Sequence, residues 1–264
     1  MKRILSIFFI LACIGGCAIV EEATLFPATL KYSQKSFPLD YKIDYSESLN
    51  EDERNSNILK SQYGFRKSSS EVRIQTKEVT PEGNMILALT ELVGVEDEKN
   101  EPLTFTVSPL GEILNQPQKS VNRDFFPPIP IVFPQNKIAA GLSWETTQSE
   151  IFALSSDDNP EADITINIKY KVISRIVASN VRQKYFVANE KIELADTPPS
   201  FGGATAMEEI PLEGAEVSLR GSGLYAFNFK KNAIDSFNRV IYISISSSKL
   251  NINKRITRTA SLIR

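Results

Sequence analysis

The sequence predicts an all-β, mainly antiparallel protein made of two similar β halves, arranged as a sandwich or a half-barrel. Polar and apolar residues alternate with a period of two along several segments, which is typical of strands with one solvent-exposed face. Clusters of turn-forming residues separate these segments. The only helical candidate, residues 202–214, is interrupted by Gly and Pro, so no helix is predicted.

The amino-terminal residues have the features of an export signal. Lys2 and Arg3 precede an apolar run over residues 4–14 that contains a single serine. This run is about half as long as the roughly twenty residues that a membrane-spanning helix needs. Residues 1–16 are therefore predicted to be a signal peptide, which is removed from the mature protein.

The leader ends in Ile14-Gly15-Gly16-Cys17, which resembles the lipobox of bacterial lipoproteins. The resemblance implies that lipid is attached to Cys17, with Cys13 as a rival acceptor. Two or more acyl chains anchor a protein stably, so membrane lipid is the expected partner of this end of the chain. The residue after the cysteine is Ala18. An aspartate at this position would imply the inner membrane, so its absence favours the outer membrane, on its periplasmic or surface face. The alternatives are a plain signal peptide and a buried amino-terminal helix.

Residues 17–29 are predicted to be a tether, and residues 30–125 the first β half. Residues 71–77 alternate polar and apolar side chains, and the turn-forming stretch 80–84 separates them from the apolar residues 85–93, which predicts a hairpin. Pro and Gly in Ser108-Pro109-Leu110-Gly111 stand where a type I turn prefers them.

A proline-rich connector is predicted over residues 126–140, because four prolines within eight residues fit neither a helix nor a central strand. The second β half is predicted over residues 141–264. A hairpin is expected from residues 163–177 and 181–194, and further strands from the alternation near residues 241–245 and 250–252.

The two halves show a hint of internal duplication. Leu39-Asp40-Tyr41 lines up with Leu142-Ser143-Trp144 at an offset of 103 residues, and the predicted hairpins follow in the same order. This arrangement is similar to a family of uncharacterised bacterial envelope lipoproteins, which share the Pro/Gly turn, the proline-rich crossing and a Gly-x-x-Trp entry to the second half. Here that entry is Gly141-Leu142-Ser143-Trp144. The resemblance implies a location in the cell envelope, and it implies no particular activity.

Composition narrows the classes of function. The chain has no histidine, which excludes any mechanism that needs an imidazole, and its two cysteines are Cys13 and Cys17, both in the leader region. Without Lys2 and Arg3 of the leader, 28 of the 30 basic residues remain against 32 acidic ones, a net charge of −4. A nucleic-acid partner is therefore not expected.

Several motifs were compared with known catalytic and metal-binding patterns, and none fits. The acidic loop Asp157–Asp163 lacks the Gly and Glu that a calcium loop needs at its sixth and twelfth positions. Ser246-Ser247-Ser248-Lys249 matches the Ser-x-x-Lys pattern that contains the nucleophile of penicillin-binding enzymes, but the partner motifs of that pattern are missing from the sequence. Gly221-Ser222-Gly223 is not a nucleophile elbow, and the acidic run 96–101 has the features of a solvated turn. No catalytic residue, metal site or cofactor is predicted.

The carboxyl-terminal run, residues 249–264, contains five basic and no acidic residues, which are Lys249, Lys254, Arg255, Arg258 and Arg264. Two interpretations stay open: a final edge strand kept soluble by its charges, or a tail that binds anionic lipid headgroups. Aromatic residues on the predicted strands are expected in the core, with the lining of a ligand cavity as the alternative; they are Tyr41, Phe105, Trp144, Phe227 and Phe229.

These features together predict a membrane-anchored bacterial lipoprotein that acts as a non-enzymatic binding or structural module of the cell envelope. Its ligand or protein partner is not identified by the sequence. The alternative function is a histidine-free hydrolase that acts on envelope polysaccharide through paired carboxylates.

Overall fold

The structure is a computed structural model, which describes residues 20–22, 30–34, 37–51, 66–92, 102–115, 131–139, 141–153, 161–178, 183–197, 199–202, 216–229, 231–246 and 251–263. Several predictions lie outside these ranges and stay predictions. They concern Cys13, Cys17, the acidic run 96–101, residues 157–160 of the acidic loop, residues 203–214 of the helical candidate and residues 247–249 of the Ser-x-x-Lys match.

The described residues form thirteen β-strands. They are β1 (Val20–Glu22), β2 (Leu39–Glu51), β3 (Arg66–Val79), β4 (Met85–Glu91), β5 (Leu103–Val107), β6 (Ile113–Asn115), β7 (Ser143–Ala153), β8 (Glu161–Ala178), β9 (Gln183–Leu194), β10 (Ser200–Gly202), β11 (Glu216–Asn228), β12 (Ala233–Ser246) and β13 (Asn251–Leu262). The all-β prediction is confirmed, as are the predicted hairpins, which are β3–β4 and β8–β9.

All thirteen strands belong to one antiparallel sheet. Side by side they run β7-β8-β9-β11-β12-β13-β2-β3-β4-β5-β6, and the short strands β1 and β10 pair with further parts of β8. In the described part of the chain β6 and β7 do not pair, so the sheet is open. Strands β2 to β6 pair in chain order, and among the described strands of the second half the order is interrupted only by β10, which pairs with β8 while β9 pairs with β11. The duplication itself stays a prediction.

The two halves of the chain are joined by the pairing of β13 with β2. Eleven residue pairs connect these strands, from Ile252–Glu51 to Leu262–Tyr41. Both interpretations of the basic carboxyl-terminal run were therefore wrong for residues 251–262: they form neither an edge strand nor a free tail, but a central strand with a partner on each side. Both interpretations failed because β13 pairs with a strand that is far away in the sequence, and such pairing cannot be predicted from the composition of the run.

One face of the sheet, called here the inner face, is buried along most of its length. Alternate residues of β8 point to it, and Ile164, Ile166, Ile168 and Tyr170 are all fully buried. The intervening residues, such as Lys169 and Lys171, are exposed on the opposite, outer face. Burial of these side chains supplies the main driving force for folding, at about 25 cal/mol per Å² of apolar surface.

The sheet is strongly curved toward its inner face. Glu150 of β7 contacts Arg239 of β12, with Oε1 and Nη1 2.5 Å apart. Three strands lie between them, and on a flat sheet the two backbones would be about 19 Å apart or more, at about 4.8 Å per strand. Side chains alone do not span that distance. The contact therefore requires the sheet to bend as a half-barrel does.

Two segments without strand structure close one end of this curved sheet. Residues 30–34 and 131–139 contribute buried Tyr32 and Phe133, whose rings stack with centroids 5.0 Å apart. Phe133 also meets Phe227 of β11 edge to face at 5.0 Å. The described part of the proline-rich connector is thus built into the core.

The predicted turn at residues 108–111 is where these two segments attach. Gly111 donates a backbone hydrogen bond to the carbonyl of Ser108 at 2.9 Å and has a φ of 96°, which a glycine adopts without strain. Tyr32 donates its backbone N–H to the Pro109 carbonyl at 2.8 Å, and Phe133 to the Leu110 carbonyl at 2.7 Å. A side chain on Gly111 would overlap Tyr32 and the backbone of the connector.

No helix in the described ranges has the length and apolar character required to cross a membrane.

Buried tyrosines should make this fold sensitive to alkali. Burial is the main cause that raises the pKa of Tyr32, Tyr170 and Tyr225 well above the ordinary 10.0, and it raises that of Tyr41 as well. Because the pKa is higher in the folded chain, the stabilisation by the neutral phenols is complete below pH 10.0 and is lost as the pH rises above it. Tyrosinate absorbance should show at least these four phenols titrating only together with unfolding.

The control is circular dichroism recorded along the same titration. If all eight tyrosines ionised near their ordinary pKa while the β spectrum stayed intact, the burial of these four rings would be contradicted.

Candidate functional site

The outer face carries a concavity of about 620 Å³ over the centre of the sheet. Strands β2, β11, β12 and β13 bound it with the outer-face residues Ser48, Ser218, Arg220, Tyr242, Ser244, Asn253 and Arg255, and beneath them lie Leu219, Ile243 and Lys254, which are buried. This volume lies in the range of sites that hold small ligands. This surface is called here the outer concavity.

One wall of the outer concavity is a row of three large side chains on adjacent strands. Tyr242 of β12 pairs directly with Arg220 of β11 on one side and with Arg255 of β13 on the other. The two guanidinium carbons lie 5.6 and 5.9 Å from the centroid of the Tyr242 ring, within cation–π range. Tyr242 is nevertheless 43% exposed. Two fixed positive charges therefore flank a ring that solvent can reach.

The floor beside this wall is small and polar. Ser218, Ser244 and Asn253 occupy the next row of paired positions, and Ser48 lies opposite Arg255. Their hydroxyl and amide groups both donate and accept hydrogen bonds. None of the described residues that line the outer concavity is acidic. The arrangement therefore favours a ligand that carries negative charge and hydroxyl groups.

The inner face opposite holds a cluster of charged residues, called here the inner charged cluster. Arg239 of β12, 3% exposed in its side chain, lies between Glu150 of β7 and Glu190 of β9, with nitrogen–oxygen distances of 2.5 and 2.6 Å. The phenol of Tyr225 donates to the other Glu190 oxygen at 2.5 Å. Both carboxylates are thus bound within the protein.

Electrostatics in this cluster keep Arg239 charged. Burial by itself lowers the pKa of the guanidinium, but Glu150 and Glu190 outweigh it, and the pKa is raised well above the ordinary value. A buried charge is tolerated only when it is paired, and a partner left alone in such a pair is strongly destabilising. The cluster therefore fixes the relative positions of β7, β9 and β12.

Gly223 explains how the Glu190 carboxylate fits against the sheet. It is directly paired with Glu190 on one side and Arg239 on the other, so the carboxylate crosses above its α-carbon. A Cβ at this position would overlap Glu190 Oε2. The Gly221-Ser222-Gly223 stretch is thus a site of close packing, which is a common reason for glycine within a strand.

A second buried ion pair lies on the inner face between β13 and β2. Lys254 and Glu47 are joined at 2.5 Å, and Tyr45 donates to the same carboxylate at 2.5 Å. The Lys254 side chain is 1% exposed. Of the five cations in the carboxyl-terminal run, this one supports the core, whereas Arg255 reaches the outer concavity.

The structure places the other predicted residues in the core. Tyr41, Phe105 and Phe227 are buried, and Trp144 and Phe229 are partly buried against the same cluster, which confirms the core interpretation. Trp144, from the Gly-x-x-Trp entry, stacks on Tyr170 at 4.9 Å and donates Nε1–H to the Val132 carbonyl at 2.7 Å. In the described ranges no group of three or more acidic, Cys or His residues is suited to a metal ion.

Sequence reasoning did not identify Arg220 and Tyr242 as functional residues. Both lie at exposed positions of strands in which buried and exposed residues alternate, and polar residues are common at such positions. Their signal was weak: Tyr242 is a large aromatic residue at a position where its neighbours on the same face, such as Ser244, are small and polar. Only the register of β11, β12 and β13 shows that Arg220, Tyr242 and Arg255 form one row.

Comparison with known proteins gave no relative: no family model, no curated protein and no solved structure matches this chain.

Replacing Gly223 with alanine tests the packing of the inner charged cluster. The added Cβ should force Glu190 away from Arg239 and Tyr225, and overpacking of this kind costs about 2 kcal/mol of unfolding free energy. Urea denaturation of Gly223→Ala measures the loss. The matched control is Ser222→Ala at the neighbouring exposed position, which should change stability by less than about 0.5 kcal/mol. Equal stability of the two variants would contradict the described position of Glu190.

Proposed function

We propose that this chain is a membrane-anchored bacterial lipoprotein that serves as a non-enzymatic binding module of the cell envelope, with the outer concavity as its binding surface. The observation that carries the proposal is the row Arg220–Tyr242–Arg255 beside a floor of hydroxyl and amide groups. Charged, aromatic and hydrogen-bonding groups gathered in one concavity are typical of ligand sites.

The anchor is proposed from the leader. A positively charged start, a short apolar run and Ile14-Gly15-Gly16-Cys17 support acylation of Cys17 after removal of residues 1–16. Ala18 supports an outer-membrane location, on the periplasmic or the surface face. Strand β1 (Val20–Glu22) lies within the predicted tether and pairs with β8, so the binding module would be held close to the membrane.

Binding is favoured over hydrolysis by the chemistry of the candidate groups. A glycosidase needs two carboxyl groups that face a sugar in a groove. On the inner face the described structure binds two carboxylates, those of Glu150 and Glu190, to the same Arg239; Glu190 is buried and Glu150 is 12% exposed. The chain also lacks histidine, and its cysteines lie in the leader region. These observations support a module that holds a ligand without transforming it.

The anchor is tested by metabolic labelling with a palmitate analogue. The wild-type chain should be labelled, and Cys17→Ser should lose the label because the acceptor thiol is gone. Cys13→Ser is the matched control and should keep it. Labelling that survives Cys17→Ser and disappears with Cys13→Ser would move the anchor to the rival cysteine, and no labelling of the wild type would contradict the lipoprotein proposal.

The binding surface is tested by protection of an introduced thiol. In a Cys13→Ser background, Ser244→Cys places one thiol on the floor of the outer concavity, and acylation occupies the Cys17 sulfur. Envelope material from the native host should slow the reaction of this thiol with a maleimide at least threefold, because a bound ligand covers the floor.

The control is Ser261→Cys, an exposed residue of β13 outside the outer concavity. Its reaction rate should not change with added envelope material. If both thiols reacted at unchanged rates, or if both were protected equally, the outer concavity would not be the binding surface.

A further inference from the structure

We propose that the ligand of the outer concavity is an acidic polysaccharide, a sugar chain that carries carboxylates. This inference rests on the proposed binding function and names the chemical class that the site fits. It follows from three properties of the described surface: its charge, its hydrogen-bonding groups and its shape.

The charge of the outer concavity selects an anion. Arg220 and Arg255 each present a guanidinium, and a guanidinium binds a carboxylate with two parallel hydrogen bonds. In the described structure their contact is the Tyr242 ring, which leaves the nitrogen donors at the edge of each guanidinium for a ligand. The acid nearest in the register, Glu193 opposite Arg220, is engaged by Lys191 at 2.7 Å.

The position of the two arginines on separate strands favours a ligand with more than one anionic group. Arg220 and Arg255 lie on strands two positions apart, with β12 between them, so their backbones are separated by about 10 Å. Two cations that contact Tyr242 from the strands on either side of it match a ligand with several carboxylates better than a ligand with one. Carboxylates on successive or alternate sugars of a chain present charges repeatedly along the groove.

The floor selects a sugar over a simple anion. Ser48, Ser218 and Ser244 place three hydroxyl groups on the floor, which match the donors and acceptors of sugar hydroxyls. Tyr242 adds an exposed aromatic edge beside them.

The shape selects a chain over a flat surface. The floor residues are small and lie beside a wall of two arginines and a tyrosine, so the surface is recessed. An anionic bilayer presents its headgroups in a plane and would contact the wall before the floor. A polymer strand can enter the recess and contact both.

The test measures binding of oligogalacturonate, a carboxylated sugar chain, to the full acylated protein in neutral detergent micelles by calorimetry. A malto-oligosaccharide of equal length, which has hydroxyls but no charge, is the matched probe and should bind at least tenfold more weakly. Arg220→Gln and Arg255→Gln should each weaken oligogalacturonate binding about tenfold. Added salt should weaken the wild type more than either variant, because screening acts on the charges that the variants lack.

Lys171→Gln is the control for net charge, since Lys171 is exposed on the same face but lies on β8, outside the outer concavity. It should bind oligogalacturonate as the wild type does. Urea denaturation of all three variants confirms that they fold, and these positions are on the outer face, so their stability should match the wild type.

Three further probes separate the chemical classes. Inorganic polyphosphate, polyglutamate and phosphatidylglycerol vesicles present phosphate, an acidic peptide and an anionic bilayer. Weaker binding of all three supports the proposal, and tighter binding of any one than of oligogalacturonate overturns it. Equal binding by the arginine variants and the wild type also overturns it.

The thiol-protection experiment distinguishes this failure from failure of the proposed function. If envelope material protects the thiol of Ser244→Cys while oligogalacturonate does not bind, the outer concavity binds another class of ligand. If envelope material gives no protection either, the proposed binding surface fails together with its ligand.

Discussion

The ion pairs of Arg239 are the interaction on which the shape of this molecule depends. One guanidinium holds Glu150 and Glu190, which belong to strands four and two positions away in the sheet. Such a triad is costly to bury, and apolar residues of similar volume would often give equal or greater stability. What the triad provides is geometry. Apolar side chains can pack together at many curvatures of the sheet, whereas the short contacts among three charged groups form at one curvature. The inner charged cluster thus specifies the curvature of the half-barrel.

The same strands link the two faces of the sheet. Gly223 and Arg239 face the inner side, and three residues away from them Arg220 and Tyr242 face the outer side. Because side chains alternate between faces, a shift of one residue in the pairing of β11 with β12 would exchange the two sets. The charged pairs on the inner face therefore also hold the Arg220–Tyr242–Arg255 row in alignment. In this way the inner charged cluster positions the solvent-exposed Arg220–Tyr242–Arg255 row on the outer face.

The sequence predicted local features well and long-range ones poorly. Alternation along residues 163–168 identifies β8 and the face that Ile164, Ile166 and Ile168 bury, because the period of two is a property of the strand itself. The turn at Gly111 follows from the conformation that only glycine adopts freely. The position of β13 beside β2 was not predictable, since their paired residues are separated by about two hundred positions and the basic composition of β13 suggested an edge. The outer concavity was missed for the same reason, because it exists only when three registers are known.

The central position of β13 has a consequence for how and when the chain folds. Residues 39–51 leave the ribosome long before residues 251–262, yet they form adjacent strands, so β2 lacks one neighbour until almost all of the chain has been made. Contacts of such sequence separation slow folding. Until residues 251–262 have been made, the sheet lacks the pairing that joins its two halves. The topology thereby couples completion of the sheet to the synthesis of β13.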